Sequence, residues 1–302
     1  MDLINDGEPF RSGDAAGLGL TRYRCERLVR TGSLRRVVRG VLVDGGVPDS
    51  RELRARALAL VLPPDAIVSD HSAAWIYGVD TFPPGEFREI RPHCLVRHGK
   101  GRPAATRAIV RQTTVPDPDV VLIGGIPVTS PLRTCVDLLR LQWRPYALAA
   151  GDAMVRSGVV TPEDVAVSVS QLRRLPGTKQ AMELAPRLNP LAESHGESWM
   201  RCRILDAGLP NPELQVPMVV DGVERRLDSY FRSQRVAAEY DGRENHTDRH
   251  DVAFDDERRA AISRRHSVAF VVATRERIFG EDDSFERELG EKLGCAVRPR
   301  EW

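Results

Sequence analysis

Lysine is nearly absent from this chain: of 44 basic residues only Lys100, Lys179 and Lys292 are lysines, and the rest are arginine. A GC-rich genome accounts for such a bias. Its physical consequence stands regardless, because arginine forks suit phosphates and guanine edges better than lysine does. Cysteines are few, odd in number and far apart (Cys25, Cys94, Cys135, Cys202 and Cys295), with no C-x-x-C pair. Neither a cysteine zinc site nor a disulfide framework is supported. No apolar run approaches the roughly 18–20 residues of a membrane span, and the opening Met-Asp-Leu-Ile-Asn-Asp lacks the basic and apolar regions of a secretory signal. The expectation is a soluble cytoplasmic chain with no membrane partner. A length of 302 residues predicts two or three compact units. The net charge of +1 says little, since it averages opposite local biases.

The strongest local bias lies near the start. Arg22, Arg24, Arg27, Arg30, Arg35, Arg36 and Arg39 crowd into Thr21–Gly40 against one acid, Glu26. Thr21 can cap a helix that Gly32 stops, and on it Tyr23, Arg27 and Arg30 share a face. Leu34 to Val43 alternates as a β-hairpin turning near Arg39-Gly40. With a short helix over 10–18, the outline is a winged helix-turn-helix, whose recognition helix enters the major groove. These seven arginines are the candidate DNA-binding residues. The competing reading is a merely solvated basic face.

The expected fold class is α/β, in three parts. Residues 1–50 form the winged helix-turn-helix, 51–190 an α+β middle module, and 191–302 a mixed-sheet domain. In the middle module strands are expected at 87–91, 107–113 and 119–129 among several helices, and His71 is read as structural. Pro186 to Ala192 reads as a linker. Beyond it come a helix (194–207), three strands, a polar loop (242–253), a helix from about Asp255 to His266, a strand and a last helix.

Within this last unit Asp228, Glu239 and Asp241 fall on adjacent strands, with Glu197 on the preceding helix. Acids are depleted in strands, and a buried carboxylate is costly without a cation or donor. Several converging would suit a hard divalent metal. Taken singly, Asp228 could instead pair with Arg225 or Arg226, and Tyr240-Asp241-Gly could be a turn.

Gly196-Glu197-Ser-Trp-Met-Arg, Asp206-Ala-Gly-Leu-Pro, Gln215-Val-Pro, Arg226-Leu-Asp228, Ala238-Glu239-Tyr-Asp241-Gly and His246, in that order, resemble the PD-(D/E)XK nuclease superfamily, in its DUF559, very-short-patch-repair-like endonuclease branch. The resemblance implies a catalytic set of Glu197, Asp228, Glu239, Asp241 and His246. Asp228, Glu239 and Glu197 would hold Mg²⁺, or Mn²⁺ as substitute. The superfamily lysine two places after the glutamate is replaced by Asp241, so His246 or Arg258 would have to supply the proton or positive charge. Residues Arg39-Gly-Val-Leu-Val, Ser72-Ala-Ala-Trp-Ile-Tyr-Gly and Val128-Thr-Ser-Pro-Leu-Arg-Thr-Cys-Val-Asp resemble the AbiEi-type antitoxins of type IV toxin–antitoxin systems. That implies DNA binding, autorepression and a cognate toxin protein as partner. A homodimer is an expectation of the winged helix alone. Two functions follow: a Mg²⁺-dependent DNA endonuclease in defence or repair, or a catalytically inactive antitoxin and autorepressor.

Overall fold

The computed structural model describes residues 3–83, 91–99, 108–242 and 249–302, without the side chains of 249–255. It is a mixed α/β protein with three sheets among the described residues. The N-terminal part runs β1 (Phe10–Arg11), α1 (Arg22–Arg30), β2 (Leu34–Val38) and β3 (Val41–Asp44), the strands ordered β1-β3-β2. Phe10, Leu20, Cys25, Leu34 and Leu42 form its small core. The helix expected over 10–18 is instead β1 and a 3-10 turn, Ala15–Leu18. Gly13 and Gly17 explain the difference, since each costs about 1 kcal/mol in a helix interior.

Next come α2 (Arg51–Ala59), β4 (Ile67–Val68), α3 (Asp70–Ile76), β5 (His93–Arg97), β6 (Ile109–Thr113), β7 (Val120–Ile123) and β8 (Ile126–Thr129). The sheet order is β6-β5-β4-β8-β7. The single strand expected over 119–129 is a hairpin, because Gly124 and Gly125 both take positive φ (56° and 78°), the requirement of a two-residue type I′ turn. The strand expected at 87–91 lies outside the described residues but for Arg91, which is in no strand. Strand β5 was not anticipated. Helices α4 (Pro131–Leu141), α5 (Arg144–Arg156), α6 (Pro162–Ser170) and α7 (Thr178–Leu184) cover the sheet around Leu58, Val68, Ile76, Leu138, Leu148 and Met154. His71 sits in this core with Nδ1 2.9 Å from Thr81 Oγ1. Burial lowers its pKa to about 4, which keeps the ring neutral.

The last part is α8 (His195–Asp206), β9 (Glu213–Val220), β10 (Val223–Phe231), β11 (Val236–Asp241), α9 (Arg249–His266), β12 (Ala269–Thr274), α10 (Arg275–Ile278) and α11 (Ser284–Leu293). Strands β9, β10 and β11 are antiparallel neighbours, and β12 joins β11 in parallel after the α9 crossover. Helix α9 begins six residues before the expected Asp255, within the stretch read as a polar loop. No helix among the described residues is long and apolar enough to cross a membrane.

The expected linker is pinned rather than loose. Leu188 and Ala192 are buried, and the Asn189 N–H donates to Asp152 Oδ1 at 2.9 Å. Asp152 on α5 also accepts from Arg201 on α8 at 2.5 Å, both groups being fully buried. Nearby, Asp206 accepts from Arg144 at 2.6 and 2.8 Å, from Arg187 at 2.5 Å and from the Trp302 indole at 2.7 Å. Burial alone would raise the Asp206 pKa, but the Arg144 and Arg187 hydrogen bonds outweigh it and hold it below the usual value.

A depressed folded pKa gives stability that is complete above the unfolded value, near 4, and is lost as pH falls through the folded one. Asp206→Asn should therefore cost about 2 kcal/mol at neutral pH. In urea unfolding the gap from wild type should shrink as the pH is lowered below about 4. A gap independent of pH would show that packing, not charge, carries the effect.

Candidate functional site

Helix α1 turns its apolar side, Cys25, Leu28 and Val29, to the N-terminal core. Thr21 caps it, Oγ1 accepting from the Arg24 N–H at 3.2 Å. The other side is basic and open. Arg22, Arg24, Arg27 and Arg30 are all exposed. Arg22 takes the stretch's only acid, Glu26, at 3.1 Å. Arg24, Arg27 and Arg30 have no side-chain partner among the described residues. Helix and hairpin are set against each other where α1 ends. A Cβ at Gly45 would stand 1.9 Å from the Gly32 carbonyl oxygen, so only glycine permits the approach.

On the hairpin the arginines differ. Arg35 is half-buried and donates to the Val47 carbonyl at 3.1 Å, tying the hairpin to the segment that follows. Arg36 is exposed and has no side-chain partner among the described residues. Arg39 is exposed at the turn and engaged by a neighbour. Unpartnered guanidinium groups on one helix and its adjoining hairpin can neutralise backbone phosphates and release their counterions.

The carboxylates of the C-terminal part lie close together. Strand register places Asp228 on β10 one step beyond the Ser229–Ala238 pair, beside Glu239 on β11. Glu197 reaches them from α8, because Gly196 lets that helix touch β11; a Cβ there would meet the Tyr240 ring at 1.9 Å. Asp228 Oδ2 accepts from the Tyr240 N–H at 2.9 Å. Burial, with the Glu197 and Glu239 charges, raises its pKa to about 7. Glu197 works at the helix end: Ser194 accepts from its N–H at 3.1 Å, and Glu197 Oε2 accepts from the Glu193 N–H at 3.0 Å. The Ser194-x-x-Glu197 spacing is that of a capping box, with the glutamate reaching one residue further back, to Glu193. Gln215, at a strained φ of 52°, donates to the same Glu197 oxygen at 2.9 Å.

Glu239 decides what this cluster can hold. It is 2% exposed. Both of its oxygens are taken by Arg258 (3.1 and 2.7 Å), and Arg259 adds a third bond at 3.0 Å. Among the described residues no group of three or more histidine, cysteine or acidic side chains could hold a metal ion. With guanidinium groups against Glu239 and protein donors on Glu197 and Asp228, this donor set does not fit direct Mg²⁺ or Mn²⁺ coordination. Asp241 ends β11, half-buried and paired in register with Thr274. His246 lies outside the described residues. Arg226, weighed as a partner of Asp228, pairs instead with Glu193 at 2.6 Å. The sequence marked Arg258 as a source of positive charge but gave no sign of Arg259 or Gln215 as partners.

Two family models match parts of the chain between residues 1 and 187. Residues 1–43 match the model of a transcriptional regulator, AbiEi antitoxin. Residues 66–187 match the AbiEi antitoxin C-terminal domain. Two curated relatives, the uncharacterized proteins MT2308 and Rv2248 from two strains of Mycobacterium tuberculosis, are each 33% identical over 228 residues, 75% of this chain and 80% of theirs. Among solved structures, the RV2827C protein from Mycobacterium tuberculosis shows a slight likeness, with a TM-score of 0.31 and 19% identity over 69% of this chain and 79% of that one. The first match takes in the arginine-bearing helix and most of its hairpin and the second the helical middle, and by these two matches, which together span more than half of it, this chain belongs to the AbiEi antitoxin family.

Proposed function

We propose that the chain is a DNA-binding transcriptional regulator of the antitoxin type, which represses its own operon and answers to a cognate toxin. In this reading residues 1–50 form a winged helix-turn-helix, with α1 as recognition helix and β2–β3 as wing. Residues 51–190 and 191–302 are the two further units, and DNA is bound by a homodimer. The observation that carries the reading is the set of unpartnered arginines Arg24, Arg27, Arg30 and Arg36 on one helix and hairpin. The regulator match over residues 1–43 covers the same elements.

Binding driven by these groups is salt-dependent. Full-length protein should bind a duplex from its own promoter without cleaving it, with log affinity falling linearly against log salt. Arg27→Ala with Arg30→Ala should lower that slope by about 2, read by fluorescence anisotropy. Unchanged affinity and slope in the double variant would remove the reading.

A second reading, phosphodiester hydrolysis by the C-terminal part, has one supporting observation: Glu197, Asp228 and Glu239 stand close enough for their charges to act on one another. The guanidinium groups on Glu239 place it second. With both Glu239 oxygens engaged, millimolar Mg²⁺ or Mn²⁺ should leave the melting temperature unchanged and plasmid DNA should stay supercoiled. Arg258→Ala should destabilise the fold by about 1–3 kcal/mol, since it takes two of the three guanidinium bonds from buried Glu239 and leaves only that of Arg259. Cation-dependent stabilisation of the wild type, lost in Asp228→Asn, would restore the hydrolase.

A further inference from the structure

We propose that Tyr23 is the base-reading residue of α1, the side chain that makes its DNA contact sequence-specific. The inference rests on the DNA-binding reading above and deepens it. Successive residues of a helix are turned by about 100°, which places Tyr23 almost opposite the buried Cys25, at the middle of the solvent face. Arg27 and Arg30, four and seven residues on, flank it there. Tyr23 is 73% exposed, and its ring and hydroxyl contact no aromatic, cationic or hydrogen-bonding side chain among the described residues.

A single exposed tyrosine is ordinary in a folded protein. This one is distinguished by its setting: the neutral centre of a face whose Arg24, Arg27 and Arg30 are themselves without partners. An uncharged phenol releases no counterions and so adds nothing to the salt-dependent part of binding. It offers what those arginines do not, an apolar ring for a thymine methyl and a hydroxyl that both donates and accepts at a base edge. It also lies in the first turn of α1, and the N-terminal residues of a recognition helix are those that meet base edges. Arginine supplies the affinity in this arrangement, and Tyr23 supplies the discrimination.

The test uses the full chain and two probes: a duplex enriched by wild-type protein from a random-sequence library, and the same duplex scrambled. Tyr23→Ala, whose fold is checked by circular dichroism, should weaken binding to the enriched duplex roughly tenfold or more. Its affinity for the scrambled duplex and its salt slope should match wild type. Arg27→Ala should weaken both duplexes alike and lower the slope by about 1. Equal weakening of both duplexes by Tyr23→Ala, or of neither, overturns the proposal. So does a library that yields no enriched duplex while salt-dependent binding persists, an outcome that leaves the regulator reading intact. Wild type that binds neither duplex at low salt would remove both.

Discussion

Burying a carboxylate in this fold requires a guanidinium against it, and much of the architecture follows from that pairing. Asp152 meets Arg201 between α5 and α8. Glu286 meets Arg203 between α11 and α8 through two bonds of 2.6 Å. Asp137 on α4 accepts from Arg111, Arg133 and Arg140. Glu239 is held by two arginines of α9. Arginine suits these sites because its planar fork satisfies both carboxylate oxygens and keeps its charge when buried. A lysine would leave lone pairs unsatisfied. Apart from Arg133 and Arg140, which share α4 with Asp137, these pairs join different elements, and helix α8, with arginines on both flanks, ties α5 in the middle of the chain to α11 in its last part.

Against that interior the first helix stands out. Arginines that serve the fold are consistently found on an acid or a carbonyl: Arg144 and Arg187 on Asp206, Arg54 on Asp49 and the Trp75 carbonyl. Those of α1 answer one acid among four cations, and that acid is exposed with its partner. Exposed pairs of that kind contribute little to stability, about 0–1 kcal/mol. The α1 arginines therefore do not hold the protein together. A charge cluster that the fold does not use, on an element rigidly capped and packed from below, is available for a polyanion.

What the sequence revealed, and what it hid, divides along the same line. The capped start of α1 was legible: Thr21 accepts from the Arg24 N–H in the first turn. The order of the C-terminal unit was legible too, and so was the meeting of Asp228 with Glu239, because eleven residues of strand, turn and strand return the chain beside itself. Strand β5 was missed because His93-Cys-Leu-Val-Arg is brief and pairs with β6 in parallel, leaving no hairpin signal. The 10–18 segment forms no α-helix because Gly13 and Gly17 interrupt it. Least legible were long-range side-chain partners. Nothing local in the α9 sequence tells that Arg258 and Arg259 will lie on Glu239, nineteen and twenty residues away.

That blind spot bears on function. A pattern of acids on β10 and β11 fixes where negative charge collects, but the sequence leaves open what neutralises it. A hard cation and a pair of guanidinium groups satisfy the same oxygens. The choice belongs to the element packed across the strands, here α9. Strand β11 carries no cation of its own beside Glu239, so positive charge arrives from α9, through Arg258 and Arg259. Positive charge held against Glu239 repels an incoming divalent ion, while α1 at the other end of the chain keeps its arginines open. The two ends of the chain thus handle charge in opposite ways: one closes its buried Glu239 with its own arginines, and the other presents Arg24, Arg27 and Arg30, which nothing in the described fold closes.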